Sequence, residues 1–112
     1  MALGRQAIFE NLRSIDSATF TGSYQSLGSP LSNSAVLLKV VNNSNVLVTV
    51  SYNGVNDHDV VPSSSFYLYD FGSDAQSSSG ENSLSFPAHT QVYVKGAAGV
   101  GSVYLVVVYQ GG

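Results

Sequence analysis

Apolar residues along most of this chain recur at a spacing of two, the period of a β-strand rather than of a helix. In residues 46–52 (VLVTVSY), Val46, Val48, Val50 and Tyr52 alternate with Thr49 and Ser51. That pattern predicts a strand with one buried and one wet face. Residues 35–41 (AVLLKVV), 65–71 (SFYLYDF) and 91–95 (QVYVK) read as further strands. The strongest signal lies near the end, in residues 103–109 (VYLVVVY), which carry no charge, proline or glycine. One face of that ribbon is Val103, Leu105, Val107 and Tyr109, the other Tyr104, Val106 and Val108. Both are apolar, and exposed apolar ribbons aggregate. The ribbon is therefore expected to be covered on both sides, by the core and by another subunit.

Punctuation between the strands is dense. Gly28, Ser29 and Pro30 end a weaker strand over residues 18–27, which places Phe20, Gly22 and Tyr24 on one side. Asn42 to Asn45 is turn chemistry, because Asn accepts left-handed backbone and bonds its own chain. Residues 35–41 and 46–52 then read as a hairpin. Asn53 and Gly54 open another turn, residues 72–82 are a low-complexity loop, and Pro87 stops a short strand at 84–86. About eight strands with turns every eight to twelve residues predict an all-β fold, an antiparallel β-sandwich of jelly-roll type.

Only residues 4–17 suit a helix. Ile8, Leu12 and Ile15 form a thin stripe at helical spacing, and Arg5, Glu10, Arg13 and Asp16 hold four of the eleven charges. Residues 1–17 are accordingly expected to be a short helix or arm, docked on a neighbour or on the flank of the sandwich domain 18–112.

A chain of 112 residues makes one domain that folds without staples. It has no cysteine, which excludes disulfides, thiol nucleophiles and cysteine metal sites. Charged residues make up only 10%, against about 25% in an ordinary soluble domain. Surfaces depleted in charge resemble the centres of protein–protein interfaces. With four basic residues and a net charge of −3, no nucleic-acid partner is expected. No apolar run suits a membrane helix or a secretory signal, so no membrane partner is expected and synthesis in the cytosol is.

Candidate chemistry is sparse. Asn56, Asp57, His58 and Asp59, with Asp70, Asp74 and Glu81, offer oxygens for calcium. They lack the glycine and terminal glutamate spacing of a calcium loop, and read as a polar turn. His58 and His89 have no G-x-S-x-G elbow or metal spacing around them and read as loop residues. Residues 96–101 (GAAGVG) precede a strand, not the helix a phosphate cradle needs, and read as a hairpin turn. Asn42, Asn43 and Ser44 match a glycosylation acceptor but read as a turn. Seven tyrosines (24, 52, 67, 69, 93, 104 and 109) fit sandwich packing, interface anchoring or sugar stacking. No catalytic, metal or cofactor residue is assigned. The candidate interface residues are Ile8, Leu12, Ile15, Tyr104, Val106 and Val108.

Three stretches, TFTGSYQSLGSPL (19–31), VLLKVVNNSNVLVTVSYNGVNDHDVVP (36–62) and TQVYVKGAAGVGSVYLVVVY (90–109), together resemble the small β-sandwich virion proteins of tailed bacteriophages. The likeness lies in a strand ending NNSN, an NGVNDHD turn and a closing hairpin of GTQVYVKG type, with His89 here in place of the glycine. The resemblance implies a non-enzymatic particle component of the neck, collar, tail-adaptor or head-decoration kind. It implies a homo-oligomer, in a ring or cluster, in contact with portal, capsid or tail proteins of the virion. A carbohydrate- or receptor-binding sandwich, using Tyr24, Tyr67 or Tyr69 near residues 53–59, is the rival expectation. A hydrolase using His58 or His89 is a third.

Overall fold

The computed structural model describes residues 6–71 and 85–111, and shows an antiparallel β-sandwich of nine strands among them. These are β1 (Gln6–Phe9), β2 (Arg13–Asp16), β3 (Gln25–Ser26), β4 (Ala35–Ser44), β5 (Val48–Ser51), β6 (Asp59–Val61), β7 (Ser65–Asp70), β8 (Tyr93–Lys95) and β9 (Gly101–Gly111). The larger sheet runs β1, β9, β4, β7, with β2 also paired to β9; the smaller runs β3, β8, β5, β6. Because β1 and β2 both lie on the edge of β9 away from β4, they count as one interrupted strand. The eight strands then fall in the order first, eighth, third, sixth in one sheet and second, seventh, fourth, fifth in the other. That wrapped order is the jelly roll.

The core lies between the sheets. Leu38 and Val40 of β4, Val103, Leu105 and Val107 of β9, Val48 and Val50 of β5, Val61 of β6 and Val94 of β8 are fully buried. Phe20, Leu27, Leu31, Ala35 and Val92 close its ends and seams. Strand β9 is the spine: it pairs with β4 from Ser44 opposite Gly101 to Ala35 opposite Tyr109, through a bulge near Leu37.

Three expectations from sequence are corrected. Residues 6–16 are not a helix, and the Ile8, Leu12, Ile15 stripe does not exist. The edge of β9 offers a row of backbone groups, and β1 and β2 take it, with Glu10 N–H donating to the Val107 carbonyl at 3.0 Å between them. A one-turn stripe is too weak to resist such a ladder. Among the described residues the one helical turn is a 3-10 turn, Ser17–Thr19, where the Asp16 carboxylate accepts the Ala18 N–H at 2.9 Å.

Second, β4 and β5 do not form a hairpin: they belong to opposite sheets. The buried Asn42 makes the crossing, its Nδ2 donating to the carbonyls of Val46, Val61 and Pro62 at 2.8, 2.9 and 3.2 Å. Third, residues 96–101 are likewise a crossover and not a hairpin turn. Gly101 has φ +116°, and a Cβ there would lie 2.2 Å from the Asn43 carbonyl, so the two crossovers pack flush. The pairing between sequence neighbours is instead β5 with β6, closed by the turn over residues 52–58. The loop expected at 72–82, with Asp74, Glu81 and Leu84, lies outside the described residues.

Candidate interaction surface

Alternation along each strand sends every second side chain outward, and register decides which of them meet. On the outer face of the larger sheet the pairing builds three transverse rows. Phe66, Val41, Tyr104 and Ser14 form the first; Leu68, Lys39 and Val106 the second; Asp70, Leu37, Val108 and Phe9 the third. Phe9 (68% exposed), Phe66 (61%) and Leu68 (46%) stand open, with Leu12 (62%) beside them at the break between β1 and β2. Val41, Leu37, Tyr104 and Val106 are half-exposed, and only Val108 is buried. The single cation among these rows, Lys39, leans toward Phe66, its Nζ 5.7 Å from the ring centroid. A shallow dent lined by Ala7, Val36, Leu37 and Val108 together with Gln6, Asp70 and Gln110 lies at the third-row end.

Among the expected interface residues, Tyr104, Val106 and Val108 do share this face. Ile15 instead packs against the core, Ile8 is half-buried on β1, and Leu12 is exposed at the rim. The sequence reading missed Phe9, Leu37, Val41, Phe66 and Leu68. Their signal was present: β7 is apolar at both parities, Phe66 and Leu68 on one side, Tyr67 and Tyr69 on the other.

Strand β2 is fastened through Arg13. Its Nη2 donates to Glu10 Oε1 at 2.7 Å and to the Pro30 carbonyl at 2.9 Å, and its Nε donates to the Ser29 carbonyl at 2.8 Å. Glu10 Oε2 in turn accepts the Asn33 N–H at 2.9 Å. Burial opposes ionisation of Glu10. The Arg13 guanidinium, the Asn33 side chain and the N–H groups of Ser32 and Asn33 outweigh it and hold the carboxyl below its ordinary value.

The polar turn over residues 52–59 is satisfied internally. Asp57 accepts from the Tyr24 hydroxyl and pairs with Lys95 Nζ at 3.1 Å, while Lys95 lies 4.6 Å above the Tyr24 ring. The hydrogen bonds from Tyr24 and Lys95 lower the Asp57 carboxyl; partial burial and the Asp57 carboxylate push the Tyr24 phenol up to about 12. Asp59 accepts from the Tyr69 hydroxyl at 2.7 Å, which raises that phenol. His58 Nδ1 accepts the Tyr52 N–H at 2.9 Å, its ring stacked on Tyr52 with centroids 5.8 Å apart. Tyr52, Tyr67, Tyr69, Phe71 and Phe86 form one aromatic cluster against the core. Burial raises the phenols of Tyr52 and Tyr67.

These groups hold a turn and a seam together. Among the described residues, no three His, Cys, Asp or Glu side chains are grouped as a metal would need, and Asp57, Asp59 and Asp70 do not converge. Tyr67 and Tyr69 turn inward and Tyr24 sits against β8 of the other sheet, so the three do not form one platform. His89 is an exposed residue with φ +71° in the turn before β8, remote in sequence and in bonding from His58.

No known protein family's profile matches the chain, and no curated protein matches it. Among the described residues no helix is long and apolar enough to cross a membrane.

Proposed function

We propose that this protein is a non-enzymatic structural subunit of a tailed-bacteriophage virion, which assembles through the outer face of its larger sheet at the neck, tail or capsid surface. One observation carries the reading: a three-row face, apolar but for Lys39, Asp70 and Ser14, on a sandwich whose core is already complete without it. Contiguous exposed apolar patches on a folded domain mark interaction sites. The jelly roll hosts many functions, viral capsid and lectin domains among them, so the fold permits the assignment and the face argues for it. The likeness of residues 19–31, 36–62 and 90–109 to small virion sandwiches supplies the particle.

The test is co-purification. The wild-type protein is expected to sediment with particles from an infected-cell lysate, and Val106→Asp to remain folded but stay in the supernatant. A wild-type chain absent from particles, or a Val106→Asp variant incorporated normally, overturns the reading. A soluble monomer giving a glycan signal that is lost in Tyr24→Ala would point to the carbohydrate-binding rival.

A further inference from the structure

The row order of the face described above allows it to be laid on a copy of itself. Two of its large aromatic side chains, Phe66 and Tyr104, stand in the first row; Phe9 stands in the third, as does the dent by Leu37 and Val108. The middle row, Leu68, Lys39 and Val106, separates them. Two such sheets stacked face to face, about 10 Å apart, can be related by a two-fold axis lying across the strands at the middle row. That operation lays each first row on the partner's third row. Tyr104 then meets the second copy's Val108, Val41 its Leu37, and Phe9 its Ser14, so that each aromatic of these columns lies over a smaller residue. Val106 and Leu68 meet their own counterparts on the axis.

Charge agrees with shape. Lys39 in the middle row would face its counterpart, yet its Nζ is already turned toward Phe66 and away from the axis. In the paired arrangement the Phe66 end lies over the partner's third row, which holds Asp70. The face therefore brings a cation toward an anion on each side of the axis, as an isologous interface requires.

We propose that two copies of this chain pair back to back through the outer faces of their larger sheets, in a two-fold dimer centred on Val106, Lys39 and Leu68. The inference rests on the reading of this face as an assembly surface, and it names the occupant.

The chain has no cysteine, which makes cross-linking clean. In purified protein, Val106→Cys treated with a short bis-maleimide is expected to give covalent dimers, because each residue meets its own copy. Tyr104→Cys alone is expected to give little. Mixed with Val108→Cys, it should give the heterodimer. In sedimentation, Val106→Asp should weaken self-association on the order of a hundredfold or more, since the two-fold buries the unpaired charge twice. Efficient Tyr104→Cys self-linking with none at residue 106 overturns the proposed axis. A wild-type protein that stays monomeric at high concentration, while Val106→Asp still fails to join particles, overturns self-pairing and leaves the virion reading standing. Val106→Asp that changes neither overturns both.

Discussion

The two outer faces of the sandwich differ in extent and in composition: β4 and β9 run 10 and 11 residues, whereas β5, the longest strand of the smaller sheet, runs 4. On the smaller sheet, outward positions read Ser26, Tyr93 and Ser51 in one row and Lys95, Thr49 and Val60 in the next. Of those residues Ser26 and Val60 are exposed and Tyr93, Lys95 and Thr49 half-exposed, while Ser51 is buried; Lys95 is engaged by Asp57 and Tyr24. On the larger sheet, outward positions are Phe66, Val41, Tyr104, Leu68, Val106, Leu37, Val108 and Phe9, interrupted by Lys39 and bounded by Asp70 and Ser14. Strict alternation along β5 therefore records a wet outer face. Its absence along β9 and β7 leaves an apolar outer face open, the face that the proposed function assigns to assembly.

The sharpest way to break this comparison is to place the same charge on the two sides of β9. Val107 is fully buried in the core and Val106 is half-exposed on the outer face. Val107→Asp leaves a carboxylate with no partner between the sheets. It is expected to cost at least about 4 kcal/mol, a large part of the ~5–15 kcal/mol that keeps a domain folded. Urea titration followed by far-UV circular dichroism should show it unfolded or nearly so. Val106→Asp is expected to cost under about 1 kcal/mol in the isolated chain, because its carboxylate keeps its water. Equal losses at the two positions would mean that the outer face is not a surface at all.

The next effect tests how the larger sheet is completed at its far edge. Glu10→Gln leaves the buried Arg13 guanidinium without its carboxylate and should destabilise by about 3 kcal/mol. The same pair sets an acid dependence. The folded pKa of Glu10 lies below its unfolded value of 4.5, so its contribution is full above pH 4.5 and is lost as pH falls through the folded value. The wild type should lose more stability than Glu10→Gln between about pH 5 and pH 2. Parallel urea midpoints across that range would show that the ion pair does not hold β2 in place.

Much of this architecture was legible in the chain because its period is local. Residues 46–52 and 103–109 announce strands whatever they pair with, and the density of turns gives the sandwich. Partners were less legible, since they depend on contacts distant in sequence. Asn42 looks like a turn residue, and nothing in NNSN says that its amide will be buried under three carbonyls and send the chain to the other sheet. Glu10 and Arg13 look like the charges of a surface helix. They are buried because residues 28–33 arrive to receive them. The outer face was half legible: Tyr104, Val106 and Val108 stood out in an unbroken ribbon. Phe66 and Leu68 stood in a strand apolar at both parities, and register decided that they and Phe9 share this face.

The smallest expected effect is the mirror of the Val106 substitution on the other sheet. Thr49 is half-exposed on the outer face of β5, opposite Val60 on β6 and Lys95 on β8. Thr49→Asp adds the same carboxylate to a face that is already polar, beside a lysine that can accept it as a neighbour. The stability change is expected to stay within about 0.5 kcal/mol, the ordinary range for surface substitutions. Sedimentation and particle incorporation should match the wild type. If Thr49→Asp instead blocked assembly as Val106→Asp is expected to, the polar face would also be an interface, and the difference in composition between the two sheets would no longer tell which one is covered.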